Sequence, residues 1–186
     1  MKTGVIQQAA KLMVCLTALV LIPSALMAQV PDPSRVKALD QALAGHAHQT
    51  YQRHARDNSQ ILYYYSQSQQ PIPRTEAQAI VTSVQRDLTA SDKALAKLKA
   101  EHAKEPEVVK QIAEIEKHHK KAHEVCSMAS EHCAKDHGDQ TAIGNCCSAM
   151  WAELTAAQKE TEKLLKMLKL EKLEAPKQVT APAAAK

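Results

Sequence analysis

Pro106-Glu-Val-Val-Lys-Gln-Ile-Ala-Glu-Ile-Glu-Lys-His-His-Lys-Lys-Ala-His-Glu-Val-Cys126 is the stretch whose reading decides the fold. Proline suits a first helical position, because its missing N–H is one that a helix leaves unpaired at that end. Behind it Val108, Ile112 and Ile115 recur at steps of 4 and 3, with charged residues between them, which is the period of a helix with one apolar stripe. Nothing in the stretch alternates with period two, so a strand is excluded.

The same pattern repeats outward. Between residues 34 and 174 the only prolines are Pro71, Pro73 and Pro106, and the only glycines are Gly45, Gly138 and Gly144. Proline cannot continue a helix interior and glycine favours helix ends, so these breakers predict four helices over 34–70, 75–104, 106–137 and 140–174. Ser34, the pair Thr75 and Gln78, and Asp139 or Thr141 are the expected N-terminal caps. The first stripe reads Val36, Leu39, Leu43, Thr50, Ile61 and Tyr65, and the second Ala77, Ile80, Val84, Leu88, Leu95 and Leu98. The fourth reads Ile143, Met150, Leu154, Ala157, Leu164 and Leu168. Thirty residues make a rod of about 45 Å, and short links force neighbouring rods antiparallel. The expected fold is therefore all-α, an up-down-up-down antiparallel four-helix bundle. Gly45 is expected to mark a kink or a close helix contact.

Composition agrees. The chain has no Phe and one Trp, so its core is built from small and aliphatic side chains, which suits closely packed helices. The net charge of +4 is spread without a basic block, which gives nucleic-acid binding no support. At the N-terminus, Lys2 and Lys11 precede an apolar run over 12–22 and the small-residue stretch ending at Ala28. This is the order of a secretory signal peptide, and the run of about 11 residues is short of the roughly 20 a membrane span needs. The expected organisation is a signal peptide over 1–28, a short linker over 29–33, one bundle over 34–174 and a disordered tail over 175–186. Such a protein is periplasmic or secreted, with no membrane span after cleavage.

Chemistry concentrates in the third and fourth segments. Continuing the third stripe past Ile112 gives Glu116, His119, His123, Cys126, Ser130 and Cys133, so metal-ligand side chains replace leucines. His119 and His123 stand one turn apart, a spacing at which two imidazoles chelate one ion. On the facing segment lie Cys146, Cys147, Met150 and Glu153. Folding the chain at turns near 72, 105 and 138 sets His119 level with His54 and His123 near Asp57, and brings Cys133 to Cys146. Two sites suggest themselves, a mixed His and carboxylate site of His54, His119 and His123 and a thiolate-rich site near the loop end of the third and fourth helices; the ligands expected first are His119, His123 and Cys126, with Cys133, Cys146, Cys147 and Met150 as further candidates. Thiolate and thioether favour Cu(I), whereas imidazole with thiolate also suits Zn(II). His102, His132 and His137 are read as surface residues near helix ends.

No Cys-x-x-Cys pair, phosphate-cradling glycine loop or paired Glu-x-x-His motif is present, so binding, buffering or sensing of copper or zinc is expected rather than catalysis. The competing expectation is a structural or interaction bundle without metal, stapled by a disulfide from Cys133 to Cys146 or Cys147, whose fourth helix meets a protein partner through Leu164, Leu165, Leu168 and Leu173. Cysteines lining a helical bundle are similar to the arrangement in bacterial four-helix-bundle copper-storage proteins, which carry many more Cys than the four here.

Overall fold

The computed structural model describes residues 33–68, 70, 72–135 and 139–170. The segment expected as a signal peptide, most of the expected linker, the expected tail, His137, Gly138 and Leu173 lie outside these. The chain divides into two compact units, Met1–Lys37 and Ala38–Lys186. The first is described only from Pro33, as an opening turn of helix, and the second carries the helical core.

Four helices make up the bundle: α1 (Pro33–Ser66), α2 (Arg74–Glu101), α3 (Pro106–Ala134) and α4 (Gln140–Met167). They run up-down-up-down, with no strand among the described residues. Pro106 occupies the first turn of α3, and the Asp139 side chain caps α4 by accepting from the Ala142 amide at 3.0 Å. The capping box expected at Thr75 and Gln78 does not form. Pro73 is the N-cap of α2, and its carbonyl takes the amides of Glu76 and Ala77 at 3.0 and 3.1 Å. The last helix ends at Met167, ahead of the expected 174. Lys169 turns into the left-handed region (φ 58°), its N–H reaches Lys166 O at 3.0 Å, and Leu170 N–H reaches Leu165 O at 2.8 Å. This is a Schellman stop built on lysine instead of glycine, which is why the sequence carries no visible breaker there.

The stripes expected on α2 and α4 face the core, apart from the half-buried Ile80 and Leu168. The stripe on α1 faces out: Leu39 is 56% and Leu43 52% exposed, and Val36, Ile61 and Tyr65 are exposed as well. Its buried side is Ala44, Gly45, His48, Gln52, Ala55, Ser59, Leu62 and Ser66. Hydrophobicity picked the wrong side because the inward positions hold small and polar residues, of which His48 and the Gln52 amide nitrogen bond to other helices and Ser59 and Ser66 to carbonyls of α1 itself. On α4 the surface expected to meet a partner is not available, since Leu164 and Leu165 are buried.

These inward residues divide the core. One apolar block gathers Leu62, Val81, Val84, Leu88, Cys126, Met150 and Leu154. The other gathers Leu95, Leu98, Val108, Ile112, Ile115, Ala157 and Leu164. Between them lies a polar layer of His48, Gln52, Ser91, His119 and Thr161, all buried. Small residues let α1 and α4 approach closely, beside this layer at Gly45 and near the far end of α1 at Gly144. A Cβ added at Gly45 would lie 2.9 Å from Leu165 Cδ2, and one at Gly144 would lie 2.6 Å from Ser66 Oγ. Gly45 thus marks a close helix contact.

Candidate functional site

His48 is placed at the centre of the polar layer. His48 Nε2 lies 3.0 Å from the Thr161 hydroxyl, which donates to Ala157 O at 2.9 Å. Its Nδ1 meets Ser91 twice, the carbonyl at 3.2 Å and the hydroxyl at 2.8 Å, and that hydroxyl also donates to His48 O at 3.1 Å. The ring lies 5.4 Å, centroid to centroid, from that of His119. One imidazole on α1 thus touches α2, α3 and α4. Burial first, then the neighbouring His119, pushes its pKa down to about 4, so His48 is neutral at physiological pH.

His119 carries the layer to the surface. The Gln52 amide nitrogen stands 2.9 Å from His119 Nε2 and donates to it, which leaves the ring proton on Nδ1. That proton goes to Asp92 Oδ1 at 2.5 Å, and His123 Nε2–H reaches the other oxygen, Oδ2, at 2.7 Å. Burial opposes ionisation of Asp92, but the hydrogen bonds from His119 and His123 outweigh it and hold the carboxyl well below the usual range. The hydrogen bond to Asp92 in turn raises the pKa of His123. The three side chains line an open cleft of about 430 Å³ with Leu95, Ala96, Glu116 and Lys120.

The cysteines form a separate group. Cys126, Cys133, Cys146 and Cys147 are all buried free thiols in the first apolar block, beside Met150. Burial raises the pKa of each, to about 11 for Cys126 and about 12 for Cys147, and both of these also feel Cys133 and Cys146. All four thiols lie in one apolar block of the core, and none of them is joined in the expected disulfide. Cys126 points toward Val81 O rather than toward the histidines.

His119 and His123 therefore come together, without Cys126 and without His54, which is exposed. His54 belongs to the outward stripe of α1, four residues beyond Thr50, so one error of face misplaced both. The register of α1 differs from the expected one as well. Its helix ends at Ser66 and α2 begins at Arg74, so the turn centres near residue 70 and not 72. That brings His48 and Gln52 to the level at which His54 was expected. Asp57 pairs with Arg56 at 2.7 Å instead of His123, and Glu153 pairs with His118 at 2.6 Å on the outside. His102 is buried at the end of α2 against Glu105, at 2.8 Å, and is not a surface residue.

Asp92, Gln52, Ser91 and Thr161 were missed. For Ser91 and Asp92 a signal exists, since the α2 stripe skips from Leu88 to Leu95 and the missing inward turn between them is Ser91-Asp92. Among the described residues no group of three or more His, Cys, Asp or Glu side chains stands where, as placed, it could hold a metal ion. No described helix is long and apolar enough to cross a membrane. Comparison with known proteins gives no match, whether to a family model, a curated protein or a solved structure.

Proposed function

We propose that this is an exported helical bundle that binds a transition metal ion, zinc or copper, at Asp92, His119 and His123, for buffering or sensing rather than turnover. The observation that carries the reading is the Asp92 carboxylate held between His119 Nδ1 and His123 Nε2 at 2.5 and 2.7 Å, at the wall of an open cleft. Two imidazoles one helical turn apart and a carboxylate from the facing helix make an N2O donor set suited to Zn(II) or Cu(II). Here each imidazole is hydrogen-bonded directly to the carboxylate, so an ion would have to displace both of those protons and draw the three side chains around itself. Met150 and the four thiols supply a second, softer donor group for Cu(I).

Calorimetric titration of the purified, metal-free protein with zinc and with copper tests the reading. Asp92→Asn and His123→Ala are expected to weaken binding at least tenfold, and His54→Ala to leave it unchanged. Because hydrogen bonding to Asp92 raises the His123 pKa, protons compete with the ion from above pH 6.5, and affinity falls as pH is lowered through that region. Wild-type affinity in both cleft variants would sink the proposal. A second reading, a bundle that serves a protein partner, is favoured by one observation: the outward face of α1 carries Leu39, Leu43, Ile61, Tyr64 and Tyr65, all exposed.

A further inference from the structure

An unsatisfied buried oxygen lies directly behind the cleft. Gln52 is 1% exposed, and its Oε1 has no hydrogen-bond partner among the described residues. A buried acceptor left unpaired in this way has lost its water and gained no partner in return. Its amide nitrogen, in contrast, is engaged at 2.9 Å with His119 Nε2. The amide thus presents its donor to a ring nitrogen with a lone pair and leaves its acceptor idle.

That arrangement suits only one tautomer of His119. While Nδ1 carries the proton and gives it to Asp92, Nε2 is bare and takes the amide hydrogen. An ion at the cleft needs the lone pair of Nδ1, the nitrogen that faces Asp92. The ring proton must then sit on Nε2, where it would confront the Gln52 amide hydrogens, two donors face to face. A half-turn of the amide about its last bond removes the conflict by bringing Oε1 round to accept from Nε2–H.

We propose that Gln52 is a positioning residue for a divalent ion at Asp92, His119 and His123, its amide rotating as the ion drives His119 from the Nδ1–H to the Nε2–H tautomer. The proposal rests on the metal reading of this cleft and names the device that sets its affinity. Proton accounting closes. His119 moves its proton between its own nitrogens with no net loss, the Asp92 carboxylate is already ionised, and His123 gives up the proton on Nε2, to its Nδ1 when neutral or to water when cationic. The amide rotation trades an idle acceptor for an idle donor, so the ring nitrogen that the ion claims decides which way the amide faces. Outer partners of this kind tune metal affinity by 10–100-fold when altered.

The experiment uses zinc as the probe and the full protein, with the ring nitrogens of His119 followed by long-range 1H–15N correlation. The expected result is Nδ1–H without zinc and Nε2–H with it, together with a change in the Gln52 side-chain amide signals. Gln52→Glu, which only accepts, is expected to bind zinc at least tenfold more tightly, and Gln52→Leu, which does neither, about tenfold more weakly. Zinc binding to the wild type with the ring unchanged, or with Gln52→Leu equal to wild type, overturns the role of Gln52 and leaves the metal site standing. Absence of zinc binding to the wild type overturns both. The wild-type spectra decide the matter even where a buried glutamate prevents folding.

Discussion

A neutral imidazole in a dry interior makes stability depend on pH. His48 has a folded-state pKa of about 4 against 6.5 when exposed, because burial and His119 disfavour its charged form. Between those values the unfolded chain binds the proton and the folded chain does not, so stability is complete above pH 6.5 and is lost as pH falls toward 4. The difference amounts to about 3 kcal/mol. Ser91, Thr161, His119 and Asp92 face the ring, and Asp92 works in the opposite sense by favouring the cation. His123, with its raised pKa, also opposes the trend: its contribution is present below pH 6.5 and lost as pH rises. Urea denaturation of wild type and His48→Asn between pH 7.5 and 4.5 isolates the His48 part. The wild type is expected to lose more stability than the variant on acidification, and parallel curves would mean that the ring is reached by water. The same residue shows what is legible in sequence and what is not. A histidine on the third stripe declares itself by continuing Val108, Ile112 and Ile115, whereas His48 sits among Gly45, His46 and Gln52 and belongs to no apolar series. Its importance comes from Ser91 and Thr161, which are 43 and 113 residues away in sequence.

Among the elements, α2, α3 and α4 were legible because their inward positions are aliphatic, and α1 was not because its inward positions are small or polar. The feature that fixes α1 in place is its contact with α4 at two glycines. Gly144 is the tighter: a methyl group there meets Ser66 Oγ at 2.6 Å and Gln67 Nε2 at 3.1 Å, and Ser66 is tied to Tyr63 O at 2.6 Å. At Gly45 the nearest atom is the end of a leucine side chain, which yields more readily. Alanine gains about 1 kcal/mol over glycine in a helix, while overpacking costs about 1–3 kcal/mol. Gly144→Ala is therefore expected to lower the melting temperature and Gly45→Ala to change it less. Equal or raised melting temperatures in both would show that α1 and α4 part easily.

For the molecule as a whole, the two apolar blocks and the polar layer between them account for the interior without the outward residues of α1. The double variant Leu39→Glu, Leu43→Glu is expected to alter unfolding free energy by no more than about 0.5 kcal/mol per site, as surface changes do. A loss of several kcal/mol would mean that this side is packed after all. Where the second reading of function holds, the same variant weakens association while stability stays constant. The division of the core also explains why the site was only half visible: the histidines and thiols of α3 share one stripe in sequence, yet the polar layer sends His119 and His123 to the cleft and leaves Cys126 in oil.

The α1 helix presents its greasier side to water, and this has a kinetic consequence. A collapse that answered to hydrophobicity alone would favour the roll of α1 that buries Leu39, Leu43 and Ile61, since the hydrogen bonds of the native roll need Ser91, Thr161 and His119 in place. The glycines act as a keyway against that roll: turning Gly45 away would set a side chain where even a Cβ stands 2.9 Å from Leu165 Cδ2.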